Sequence, residues 1–197
     1  FSGANTFTSS ITVGNTATYG TALDYDSVIQ GAWTVVATTK TDTSTSINFT
    51  NFDPRWAHRI ITRLTQNTSN GYHYIEINGD TGNNYSYVLK QFNAGGGDDS
   101  VAATATNRIP ITPTGTLILA GNEEVAQLIV YASRIDNTDM LITGHASYFN
   151  TSSYVTGGGV SGFYNGVSAI SSVKIIPSAG TFTGFVYVEA LTQSVAY

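Results

Sequence analysis

The chain contains no cysteine, so neither disulfide staples nor thiolate metal sites can hold it together. Charge is scarce as well: Asp, Glu, Lys and Arg make up 11% of the 197 residues, against about 25% in an ordinary soluble domain. Only 8 residues are Lys or Arg, and they do not cluster. The footprint that nucleic acid or an anionic membrane surface requires is therefore missing. No apolar run approaches the length of a membrane span. Opening on Phe1-Ser-Gly, without methionine or a signal-type leader, the chain reads as a processed or truncated product.

What replaces the charge is Thr, Ser and Asn, about a third of the chain, together with 20 Gly; hydrophobic content is an ordinary 41%. Hydroxyls and amides cost far less to dehydrate than ammonium and carboxylate groups. Such a skin tolerates being covered by neighbouring subunits and can hydrogen-bond to sugars. The length suits one domain with a sizeable core plus an arm.

Residues 1–31 are dominated by Thr, Ser, Gly and Asn, with Ile11-Thr-Val13 as their one clear apolar alternation. They read either as an extended N-terminal arm whose strand a neighbour borrows or as an ordinary first strand and loop. Residues 32–197 carry a period of two. The alternation is visible in Trp33-Thr-Val35, Ser46–Phe52, His58–Leu64, Tyr72–Ile77, Tyr85–Phe92, Thr116–Leu119, Ala126–Tyr131 and Met140–Thr143. Gly95–Asp99 reads as a loop, and Asn70-Gly71, Asn78-Gly79 and Asn165-Gly166 read as hairpin turns that use positive φ. About ten strands without a convincing helix predict an all-β, antiparallel β-sandwich. Trp33 and Trp56 read as core anchors.

Few constellations carry chemistry. Glu76 and Glu189 are the candidates for a glycosidase acid/base pair, yet each alternates with apolar neighbours and reads as a solvated, outward carboxylate. His58, His73 and His145 lack zinc-ligand spacing and read as core or surface histidines. Asp24-x-Asp26, Asp98-Asp99 and Asp136-x-x-Asp139 are loop carboxylates, each an Asx turn or part of a calcium site. No serine elbow or phosphate-binding glycine loop is present. The reading is of a non-enzyme that takes no cofactor. Four Asn-x-Ser/Thr sequons, at Asn48, Asn67, Asn84 and Asn150, are as many as this composition produces by chance.

Aromatic residues are more telling, since 12 Tyr and 9 Phe exceed what a core needs. Tyr72 and Tyr74 share one strand face and Tyr85 and Tyr87 share a face of the next, so a cross-hairpin ladder is expected. Core packing, subunit contact and stacking on sugars are the roles open to these four.

Three further stretches carry a family resemblance. Two alternating strands, Ala169–Pro177 and Phe185–Leu191, flank a Gly180-Thr-Phe-Thr-Gly184 corner; Gly144-His-Ala-Ser-Tyr-Phe149 and Gly157-Gly-Gly-Val-Ser-Gly-Phe-Tyr164 precede it. With Ser46–Phe52 leading into Trp56-Ala-His-Arg-Ile-Ile-Thr-Arg63, this resembles the jelly-roll virion modules of tailed bacteriophages and their closing hairpin. The likeness spans Thr45 to Leu191. It departs from the family at the end, where Val186-Tyr-Val-Glu-Ala-Leu191 and six more residues stand in place of a Leu-Tyr-Gly-like tip. The resemblance implies a jelly-roll-like sandwich and a non-enzymatic particle component: a capsid decoration, head fibre or tail-fibre module. Its partners would be other virion proteins and copies of itself in a homotrimer, assembled in a host cytoplasm. The alternative is a lectin-like module that recognises host surface glycans through Tyr72, Tyr74, Tyr85 and Tyr87.

Overall fold

The computed structural model describes residues 33–50, 52, 57–112, 117–132 and 138–191. The expected arm over 1–31, Trp56, Asp24, Asp26 and Asp136 lie outside them. Twelve strands form: β1 (Trp33–Ser44), β2 (Ile47–Thr50), β3 (His58–Gln66), β4 (His73–Ile77), β5 (Tyr85–Asn93), β6 (Asp98–Thr106), β7 (Ile109–Pro110), β8 (Glu123–Ala132), β9 (Asp139–Phe149), β10 (Val155–Asn165), β11 (Ser172–Pro177) and β12 (Phe182–Leu191). Every pairing is antiparallel.

The strands make an eight-stranded sheet, ordered β1-β12-β3-β8-β9-β10-β5-β6, and a four-stranded sheet, ordered β2-β11-β4-β7. Set the hairpins β5–β6 and β9–β10 aside and renumber the remaining eight strands. The two sheets then read 1-8-3-6 and 2-7-4-5, the doubled Greek key of a jelly roll. The two hairpins extend only one sheet. Sequence reading missed β6, whose Ala- and Thr-rich residues sit exposed on an edge, and the two-residue β7. It expected a strand at 116–119, where the described residues hold only a bridge from Ile118 to Gly71 and to Asn150.

Register explains the core. On the small sheet, Ile47, Ile175, Ile75 and Ile109 line up across four strands, and Phe49, Val173 and Ile77 across three. On the large sheet, Val188, Ile60, Leu128, Gly144, Val160 and Leu89 form one inward row. All but the glycine are fully or almost fully buried. At about 25 cal/mol per Å² of apolar surface, the meeting of these rows is the main force joining the layers.

The Gly-x-Phe-x-Gly stretch is a corner between sheets rather than the turn of a hairpin, because β11 pairs with β2 and β4 while β12 pairs with β1 and β3. Gly180 turns there at φ +68°. A Cβ at Gly184 would lie 2.0 Å from the Arg63 carbonyl oxygen, so only glycine fits against β3. Phe182 between them is fully buried, its ring edge-on to His73. Of the three Asn-Gly pairs, only Asn78-Gly79 shows positive φ at both residues, and it too links the sheets. Trp33 is not a core anchor: it sits half-buried on edge strand β1, with the Arg59 guanidinium 4.9 Å over its ring.

Candidate functional site

The four tyrosines separate. Because β4 and β5 belong to different sheets, the expected ladder between them does not form. Tyr85 is fully buried; its hydroxyl accepts from the Ile77 amide, and its one proton lies within reach of the Asp80 carbonyl at 2.9 Å and the Ile77 carbonyl at 3.2 Å. It stitches the β4–β5 connection from inside and belongs to the core, not to a contact surface. Burial pushes its phenol well above the ordinary range. Tyr164 packs on it at 4.8 Å between ring centroids and donates to Asp80; burial, and then that hydrogen bond, push its hydroxyl up to about 12.

Tyr72, Tyr74 and Tyr87 come together instead at one rim of the sandwich. Tyr72 and Tyr74 meet edge-on at 6.3 Å on the outer side of the small sheet. Tyr87 reaches the same rim from β5 of the large sheet. Tyr74, Tyr87, Thr106, Asn107, Arg108 and Ser178 line a cleft of 340 Å³. The β6–β7 connection supplies its polar wall where the chain crosses between sheets. Burial raises the Tyr74 phenol, with Arg108 pulling the other way, and burial raises Tyr72.

Beneath the cleft lies Glu76. It points outward as its alternation requires, but it is buried rather than solvated. Arg108 Nη2 approaches its Oε1 at 3.6 Å and Lys174 Nζ its Oε2 at 3.4 Å. The Arg108 guanidinium also lies 5.1 Å over the Tyr74 ring. Glu189 sits on the outer side of the other sheet, paired with Arg59. Glu76 and Glu189 therefore face away from each other across two layers and cannot flank one glycosidic bond.

A second polar cluster is sealed inside. His73, Gln66 and Glu124 are all completely buried. His73 Nδ1 lies 2.8 Å from Glu124 Oε1 and Nε2 lies 3.1 Å from Gln66 Oε1. The Gln66 amide nitrogen donates to the Ser69 and Ala179 carbonyls, which fixes its oxygen toward the imidazole. Both ring nitrogens thus face acceptors. The cluster joins β4 of the small sheet to β3 and β8 of the large one, and no substrate can reach it. Its role is architectural.

The remaining surface of note is the outer side of the eight-stranded sheet. Val88, Phe92, Val125, Leu141, Phe149, Val155, Phe163, Phe185 and Tyr187 stand there 40–58% exposed. Among them, Val88, Leu141 and Phe163 edge an apolar hollow of 270 Å³, floored by the small residues Ala102, Ala103, Ser161 and Gly162. Four ion pairs among the described residues lie in this face: Arg59 with Glu189, Arg63 with Glu123, Lys90 with Asp98 and Lys40 with Asp42.

Sequence reasoning singled out Tyr74 and Tyr87 but missed Arg108, Asn107 and Ser178, since four separate chain segments build the cleft. The one signal available was an arginine immediately before Ile109-Pro110. Comparison with protein-family models, curated proteins and solved structures returned no match for this chain.

Proposed function

We propose that this protein is a non-enzymatic structural component of a phage particle, a capsid decoration, head fibre or tail-fibre module, working through contacts between subunits. The observation that carries the subunit-contact reading is the outer side of the eight-stranded sheet. Strands with one solvated side alternate apolar with polar residues, and here the outward positions also hold aromatic and aliphatic groups. At about 4.8 Å between strands and about 3.3 Å per residue, the sheet presents on the order of 1,000 Å². A stable interface covers about 800 Å² per partner. Because four ion pairs within it offset most of its charge, a copy of the same face approaches with little like-charge repulsion. The phage setting rests on the family resemblance of the sequence.

Native mass measurement of the full chain, with immunogold electron microscopy of particles from its source, tests this reading. A homo-oligomer and labelled particles are expected. A monomer at about 100 μM together with unlabelled particles overturns it.

A second reading is favoured by one specific observation, the rim cleft. Tyrosine rings beside Asn, Thr and Ser side chains suit a sugar, with an apolar face to stack on and polar groups at its edge. A host-surface glycan at Tyr72, Tyr74 and Tyr87 fits a particle protein that meets a cell.

A further inference from the structure

Taking the glycan reading of the rim cleft as its starting point, we infer that the saccharide it binds is acidic, its carboxylate received by Arg108. The first support is local charge. Glu76 brings one negative charge beneath the cleft, and Lys174 and Arg108 bring two positive ones, both within 4 Å of that single carboxylate. Among the described residues the cluster therefore keeps one uncompensated positive charge, in a chain whose net charge is −5.

The second support is the state of the arginine. A guanidinium carries five N–H donors in a planar fork that matches a carboxylate with two parallel bonds. Toward Glu76, Arg108 makes only a 3.6 Å approach through one terminal nitrogen. Its Nε is buried without a hydrogen-bond partner. The Tyr74 ring below holds the fork in place, and among the described residues Glu76 is its one ion-pair partner.

The third support is the wall around it. Thr106, Asn107 and Ser178 bring neutral hydrogen-bonding groups, and the rings of Tyr74 and Tyr87 bring flat apolar faces. No carboxylate lines the cleft among the described residues. A free phosphate would use the arginine but leave the tyrosine rings idle. A sugar ring that bears a carboxylate engages all three kinds of group at once.

The test is an array on which uronic-acid oligosaccharides and sialylated glycans are each printed beside their own methyl esters, larger by one methyl group and lacking the charge. The full chain should bind the acid form of at least one pair about 10-fold more tightly than its ester, the loss expected when a charged hydrogen-bonded pair is removed. R108Q should bring the acid form down to the level of the ester, whereas Y74A should weaken both; unchanged circular dichroism checks that each variant folds. Equal binding of acid and ester in every pair overturns the acidic assignment and leaves the glycan reading standing. Binding to no glycan overturns both.

Discussion

The two outward sides of this sandwich are made from the same strand chemistry and end in opposite states. On the large sheet, aromatic and aliphatic side chains stand in the open and ion pairs offset most of the charge between them. On the small sheet, a carboxylate is buried under two cations beside a polar, tyrosine-lined cleft, and one positive charge is left over. The first side suits a broad partner with no net charge, such as another subunit. The second suits something small and specific. A chain with so little charge can afford directional recognition only where it concentrates the charge it has.

Three perturbations probe the contrast between sealed and open surfaces. The largest effect is expected from placing a carboxylate on opposite faces of the same sheet. Leu128→Glu buries an unpaired charge in the inward row and should abolish the cooperative thermal transition. Leu141→Glu, on the outward side, should leave the transition within about 1 kcal/mol of the parent while reducing the mass of the assembly. Equal stability of the two variants would erase the distinction between the faces.

Next comes a comparison of a buried with an exposed side-chain contact. Glu124→Ala strands His73 among buried groups and should cost about 3–5 kcal/mol in urea denaturation. Arg63→Ala, which breaks the exposed pair with Glu123, should cost less than about 1 kcal/mol.

The smallest effect concerns acid. The Asp80 carboxyl is held below its ordinary 3.8 first by the Asn84 side-chain amide, then by the Gly82 backbone N–H and the Tyr164 hydroxyl, against burial acting the other way. A depressed folded value means that the stabilisation is fully present above 3.8 and is lost as pH falls through the lower folded value. Between pH 5 and pH 2 the parent should therefore lose more melting temperature than Asp80→Asn. Parallel curves for the two would rule out this contribution.

Much of the fold could be read from the chain because its dominant signal is local. Period-two patterning at His58–Leu64, Tyr85–Phe92 and Val186–Leu191 marks strands directly, and inward register follows once a strand is assigned. Which sheet a strand joins is a non-local matter. Nothing in Tyr72–Ile77 or Tyr85–Phe92 says that they part company, so the tyrosine ladder was expected where the chain instead crosses between layers. Edge strand β6 has too little apolar content to show a period. Glu76 looked solvated because alternation reports direction and not cover, and its cover comes from Arg108 and Lys174, distant in sequence. Glu124, polar and completely buried, gave no warning at all.

The sealed His73 cluster has a consequence for the open cleft. Hydrophobic burial has no preferred direction and fixes the alignment of two layers less sharply than a hydrogen bond does. A set of bonds from one imidazole to two side chains on the opposite layer admits a single alignment. Tyr74 belongs to one layer and Tyr87 to the other, so the spacing of the cleft's two walls is set by a pin placed where no ligand ever goes.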